Sequence, residues 1–239
     1  MSEIDRAVEA IRERKPRRVV AFTGAGVSAD SGIPTFRGAD GLWGDFRAED
    51  LATPDAFERD PGLVWEWYEW RRDLIRKAQP NAAHVAIAKL ANVTVVTQNV
   101  DGLHGRAGSG DVIELHGNIF RVRCVRERKT TSSEQPFASI PPRCSCGALL
   151  RPDVVWFGEM LPEEALARAS SAILGADLLL VIGTSGVVYP AAGLVSLHRG
   201  LSIEVNPQAS SLSSACDFAI QGRAAEVVPV LVEGLGIRD

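Results

Sequence analysis

His116 closes the run Asp111-Val112-Ile113-Glu114-Leu115, whose alternation of apolar and polar residues marks a β-strand, so an imidazole stands at a strand's carboxyl end. Open α/β sheets hold their ligands there, and an imidazole neutral near pH 7 suits the removal of a hydroxyl proton; a structural histidine fits the same place. Gln98, Asn99 and Asp101 follow the apolar run 93–97 and bring amide donors, acceptors and a carboxylate to a second strand end. A capped polar turn would use the same residues. Cys124, Cys144 and Cys146 crowd one short stretch while Cys216 stands apart, a clustering that suggests metal ligation more than a disulfide framework.

Tyr68 and Arg71 are three residues apart in the tryptophan-rich segment 63–75, and hence neighbours on one flank of a helix. On the wheel, Leu63, Trp67, Trp70 and Leu74 form the apolar face, with Glu66, Glu69, Arg72, Asp73 and Arg76 opposite. Tyr68 and Arg71 share a flank with Val64 and Ile75. A guanidinium in such company wants a carboxylate, from a ligand or from a local acidic side chain.

The elements that must position these groups are legible as short, β-branched apolar runs at 18–22, 93–97, 112–115, 178–182 and 201–205. Nearly continuous runs of this length are strands buried on both faces. Helix starts lie between them at Thr53-Pro54, at Asn81 and at Pro162-Glu163-Glu164. Alternating strands and helices predict an α/β fold, a Rossmann-like parallel sheet with helices on both faces. The rhythm breaks at 120–150, read as a small cysteine-bearing, zinc-ribbon-like module, and at 38–79, read as a helical insertion over the ligand edge. Segments 1–37, 80–119 and 151–239 then make up the dinucleotide-binding domain.

The first strand runs into Thr23-Gly24-Ala25-Gly26-Val27-Ser28, where paired glycines allow a tight turn and bring backbone N–H groups towards a pyrophosphate. Ala29 stands where a full GxGxxG would have its third glycine. Gly32 and Pro34 end any helix begun near Ala25, leaving Phe36 and Arg37 on a loop beyond it. Strands 178–182 and 201–205 end in Gly183-Thr184-Ser185 and Asn206-Pro207, small polar groups suited to ribose hydroxyls and adenine.

The continuous stretch from Gly24 to Arg37 resembles the signature loop of the sirtuins, NAD-dependent protein-lysine deacylases. Further segments are similar in family order: 97–104, His116-Gly117-Asn118, Val155-Trp156-Phe157-Gly158-Glu159 and Gly183-Thr184-Ser185. The resemblance implies that Gly24, Ala25, Gly26, Ser28, Ile33, Pro34, Phe36, Arg37, Gln98, Asn99, Asp101, Gly183, Thr184, Ser185, Asn206 and Ala224 contact NAD, and that His116, Asn99 and Asp101 serve catalysis. It further implies that the acyl oxygen of a modified lysine attacks the nicotinamide ribose, that nicotinamide leaves, and that His116 deprotonates a ribose hydroxyl. The products are nicotinamide, 2′-O-acyl-ADP-ribose and free lysine. Residues 154–159, including Val155, Phe157 and Gly158, resemble the family's peptide-binding strand. Tyr68 and Arg71 match the Tyr-x-x-Arg motif of the desuccinylase/demalonylase subgroup, and Ala52 its small pocket residue.

The cysteines depart from the family's two pairs. Glu127 stands three residues after Cys124 where a second thiolate is expected, and Cys144-Ser145-Cys146 is one residue short. Zinc on Cys124, Cys144 and Cys146, with Glu127 or water fourth, is one reading; a module held by packing without metal is the other.

Among 239 residues, 46% are apolar, ample for a core, and a net charge of −4 offers no general attraction to nucleic acid or membrane. The basic residues Arg121, Arg123, Arg126, Arg128 and Lys129 are read as a solvated surface. The mixed charges of the first fifteen residues do not form a signal peptide, so a cytoplasmic enzyme acting on acylated proteins or peptides is expected. A protein ADP-ribosyltransferase and a non-catalytic NAD- or ADP-ribose-binding module are the alternatives.

Overall fold

The computed structural model describes residues 1–35 and 47–236. In chain order the elements are α1 (Glu3–Arg14), β1 (Val19–Thr23), a 3-10 helix (Ala25–Ser31), α2 (Ala48–Leu51), α3 (Pro54–Arg59), α4 (Pro61–Lys77), α5 (Ala82–Ala88), β2 (Val93–Thr97), α6 (Leu103–Arg106) and β3 (Val112–Glu114). Then come β4 (Gly117–Cys124), β5 (Thr130–Ser132), β6 (Leu150–Val154), α7 (Glu163–Gly175), β7 (Leu178–Ile182), a 3-10 helix (Ala191–Leu197), β8 (Leu201–Asn206), β9 (Phe218–Gln221) and α8 (Ala224–Gly234).

All the pairings in the main sheet are parallel, in the order β3-β2-β1-β7-β8-β9. Strand side chains alternate between faces, and the burial follows. Val19, Ala21, Leu178, Leu180 and Ile182 join α1, α5 and α8 in one core, while Val20, Phe22, Leu179 and Val181 join α7 and the Ala191–Leu197 helix in another. Helices therefore cover both faces, as the buried runs require. The expected helix starts are in place: Thr53 Oγ1 accepts from Ala56 N at 3.1 Å, Asn81 Oδ1 from Ala83 N at 3.0 Å, and Pro162 precedes α7.

A second, antiparallel sheet of order β5-β4-β6 carries the cysteines, and its strands reach from Gly117 to Val154, wider than 120–150. It is not packed separately from the preceding helices. Ala52, Trp65 and Tyr68 share a core with Ile119, Val122, Val154 and Trp156, and Trp65 Nε1 donates to Leu150 O at 2.8 Å.

The wheel of α4 needs correction. Val64, Trp65, Trp67, Tyr68, Arg72 and Ile75 are its buried residues, whereas Leu63, Trp70 and Leu74 are only partly covered. The flank that carries Tyr68 is therefore the core side. Arg72, expected on the polar face, is fully buried: its guanidinium pairs with Glu69 at 2.7 Å and donates to the carbonyls of Ile119, Ser133 and Gln135. A buried cation of this kind is tolerated because it has a carboxylate partner and three carbonyls accept from it.

A candidate active site at the switch point of the sheet

The strand order reverses between β1 and β7, and at such a point the connecting loops part to leave a crevice. Gly24 and Gly26 sit where the β1 loop crosses the end of β7. Gly24 N donates to Ile182 O at 3.0 Å and Gly26 N to Gly183 O at 2.8 Å. A Cβ on Gly26 would lie 2.7 Å from Gly183 Cα, and one on Gly183, at φ +62°, would lie 2.3 Å from Val27 N. The glycines thus serve the contact between two loops, and the N–H groups of Gly24 and Gly26 both donate within the protein. Ala25 opens the 3-10 helix, and Gly32 ends it at φ 79°, as expected. Ile33 is buried and Pro34 follows it; Phe36 and Arg37 lie outside the described residues.

Thr184 is buried, accepting from Gln98 Nε2 at 3.0 Å through its hydroxyl and from Asn206 Nδ2 at 2.6 Å through its carbonyl. This chain of bonds joins the ends of β2, β7 and β8. The neighbouring Ser185 Oγ lies out of solvent with no hydrogen-bond partner among the described residues. An orphaned hydroxyl at this crevice fits a polar ligand such as a nucleotide's ribose. Ala224, buried, begins α8 beyond the carboxyl end of β9, next to Arg223, whose guanidinium holds Asp30 of the β1 loop at 2.8 Å.

Ser28 is the hub of a buried polar cluster. Its hydroxyl donates to Asp101 Oδ2 at 2.7 Å, accepts from Asn99 Nδ2 at 3.1 Å and lies 3.4 Å from His84 Nε2. Asp101 Oδ1 accepts from Leu103 N at 2.9 Å. Burial raises the Asp101 carboxyl above its usual range against these bonds and the nearby charge of Arg71. The His84 and His104 rings meet at a tilt of 58° with centroids 4.8 Å apart, and His104 Nε2 reaches Thr23 Oγ1 at 3.0 Å. Burial pushes His84 down to about 4 and, with His84 beside it, His104 to about 3, so both are neutral at ordinary pH.

His116 occupies the turn between β3 and β4, and its Nδ1 lies 2.8 Å from the carbonyl of Gln98. A carbonyl only accepts, so Nδ1 carries the proton and Nε2 presents a lone pair. Burial lowers the pKa of His116 against the pull of that bond, which keeps the imidazole in its basic form near neutrality.

Tyr68 and Ala52 belong to the shared core of the second lobe, with Arg71 on the same helix as Tyr68. Tyr68 is buried and its hydroxyl accepts from Trp156 Nε1 at 2.8 Å. The Arg71 guanidinium carbon lies 4.8 Å from the Trp67 ring centroid and 5.8 Å from that of Tyr68. Burial lowers its pKa, opposed by Tyr68 and Asp101. Ala52 is buried, and its carbonyl accepts from Phe157 N at 2.9 Å. Val155 N donates to His116 O at 2.9 Å, so the 155–159 segment is tied to both His116 and Ala52. Only Val154 of the expected peptide-binding strand lies in a strand; Phe157 and Gly158 form a turn, with Gly158 at φ +85°, because Glu159 folds back to take Trp156 N at 2.9 Å.

Cys124, Cys144 and Cys146 converge with the carboxylate of Glu127, their ligand atoms all within 4.8 Å of one another. The Cys124–Cys146 sulfur separation is 3.6 Å, close to the roughly 3.8 Å between sulfurs sharing a tetrahedral zinc at about 2.3 Å. The donor set fits a metal, and Glu127 is placed to offer a fourth ligand.

The spacing of motifs found His116, Gln98, Asn99 and Asp101. It missed Thr23 and His84 as parts of the site's framework. The one signal for His84 is its place three residues after the cap Asn81, whose N–H meets His84 Nδ1 at 3.3 Å.

Comparison with known proteins agrees with this geometry. The Sir2 family profile matches residues 24–190. An NAD-dependent protein deacylase of Pyrococcus furiosus is 54% identical over 233 residues, covering 92% of this chain and 93% of the relative. NAD-dependent protein deacylase 2 of Pyrobaculum aerophilum is 53% identical, covering 91% and 90%. Among solved structures, a Sir2 homologue in complex with NAD superposes with a TM-score of 0.90 at 48% identity, covering 97% of this chain and 93% of that one. A Sir2 protein bound to an acetylated peptide gives 0.85 at 33% identity over the whole of both chains. A profile spanning most of the chain, and relatives of this identity over nearly all of it, leave one conclusion: the chain belongs to the Sir2 family.

Proposed function

We propose that this chain is an NAD-dependent protein-lysine deacylase. The carrying observation is His116, held by the Gln98 carbonyl with Nε2 presented as a base, at the carboxyl edge of a sheet whose switch point has a nucleotide-compatible crevice. Bound NAD supplies an electrophilic ribose carbon and nicotinamide as leaving group. The protein's share is to hold, orient and move protons. Gln98, Thr184, Ser185 and Asn206 offer polar groups to the ribose and adenine side, Ser28, Asn99 and Asp101 to the nicotinamide side, and Nε2 of His116 accepts a proton from a ribose hydroxyl.

We further infer that the acyl groups include short dicarboxylic chains, succinyl and malonyl, as well as acetyl. Tyr68 and Arg71 present a hydroxyl and a half-buried cation side by side on α4, with the small Ala52 in the same core as Tyr68. Zinc on Cys124, Cys144, Cys146 and Glu127 holds the small module. Incubation with succinyl-lysine peptide and NAD should release nicotinamide and free lysine; ADP-ribose on a protein side chain instead would favour the transferase alternative, and no nicotinamide would favour a binding module. Exchanging Arg71→Met should lower kcat/KM for desuccinylation by about 100-fold, the cost of leaving a carboxylate without its cation, and spare deacetylation. Equal loss of both activities would refute the carboxylate reading.

A further inference from the structure

We propose that Trp156 is a positioning residue for acyl selection: its indole N–H fills the acceptor side of the Tyr68 hydroxyl, so that the O–H proton is aimed at the carboxylate of an acyl chain lying beside Arg71. The inference rests on the dicarboxylic-acyl reading and extends it to a residue outside the Tyr-x-x-Arg pair.

An indole nitrogen is a donor only, whereas a phenol is both donor and acceptor. At 2.8 Å from Trp156 Nε1, Tyr68 must be the acceptor, and its own proton is turned away from Trp156. No protein acceptor takes that proton among the described residues, although the ring is only 1% exposed. A buried hydroxyl with an uncommitted donor is built for a partner that arrives from outside. Burial also pushes Tyr68 up to about 12, so the hydroxyl remains a donor throughout the physiological range.

Trp156 is itself fixed on several sides. The Arg151 guanidinium carbon lies 3.4 Å from its ring centroid, and the Phe57 ring lies 5.2 Å away. Its backbone N–H donates to Glu159, whose carboxylate grips Arg151 at 2.6 and 2.9 Å. The next residue, Phe157, bonds to Ala52 O. The turn that approaches His116 through Val155 is thereby connected through Trp156 to the hydroxyl on α4.

The test is Trp156→Phe, which keeps an aromatic ring against Arg151 and Phe57 and deletes the N–H. Steady-state kinetics with succinyl- and acetyl-lysine peptides should show KM for the succinyl substrate rising about tenfold, the scale of one hydrogen bond serving a charged group, with the acetyl KM within about twofold. Site-specific benzothienylalanine at 156, which replaces the N–H by sulfur in the same shape, should give the same selective loss and guards against misfolding of the phenylalanine variant. In a Tyr68→Phe background, Trp156→Phe should add nothing. An equal effect on both substrates, no effect on either, or a full further loss in the Tyr68→Phe background would overturn the assignment. Arg71→Met separates the two levels: selective loss there with none at Trp156 rejects only the role of Trp156, and no selectivity at Arg71 rejects the acyl reading beneath it.

Discussion

At the scale of single residues, the His84–His104 pair has a stability cost that depends on pH. Both imidazoles have folded-state pKa values far below the ordinary 6.5, at about 4 and about 3, through burial. Between those values and 6.5 the unfolded chain binds more protons than the folded one, so stability is complete above pH 6.5 and declines as pH falls. Two such groups give a slope of up to about 2.7 kcal/mol per pH unit once both titrate in the unfolded chain. The thermal midpoint, measured from pH 7 to 5, should fall, and His104→Asn should make that fall shallower by about half; an unchanged slope would show that the pair is not its source. Neither the neutrality of these histidines nor the hub at Ser28 was legible in the sequence, because each depends on contacts between β1, β2, α5 and α6. His116, Gln98, Asn99 and Asp101 were legible because a strand end is a position that a linear pattern can mark.

At the scale of elements, the buried strands were the most legible feature: the runs at 93–97 and 178–182 coincide with β2 and β7 residue for residue. Helix α4 was misread, since a wheel ranks faces by apolarity and cannot see that β4 and the Ser133–Gln135 segment supply carbonyls to Arg72. Strand β9 was missed as well; it is four residues long, half-covered and at the sheet's edge. The glycines of the β1 loop were found, but their role is to let two turns touch. Gly183→Ala tests this. A Cβ there would sit 2.3 Å from Val27 N at a positive φ, so a loss of about 2–4 kcal/mol in denaturant unfolding is expected. A change below about 0.5 kcal/mol would mean that the loops can separate at little cost.

At the scale of the whole molecule, two separate interruptions of the α/β rhythm in the sequence become one lobe with a common core in the fold. Helix α4 and the cysteine-bearing sheet are separated in the chain by α5, β2, α6 and β3, and local patterning carries no record of such a contact. Metal binding belongs to this scale because it closes the loop from Cys124 to Cys146. Elemental analysis should find one zinc per chain, and chelation should lower the thermal midpoint; Glu127→Ala should weaken zinc retention, whereas Glu127→Cys should keep it. A protein free of zinc as purified, with a midpoint indifferent to chelator, would count against the metal.

The pairing of β1 with β7 also bears on how the chain is made. Val19 meets Leu178, and the second lobe lies between them in the chain. On the ribosome, β1 can find β2 and β3 once about half the chain has emerged, and one long edge then stays open until β7 is synthesised. At about 5–20 residues per second, the roughly 80 residues separating β2 from β7 hold that edge exposed for several seconds. The nascent half-sheet is therefore a stage at which an unpaired strand edge is open to association with other chains.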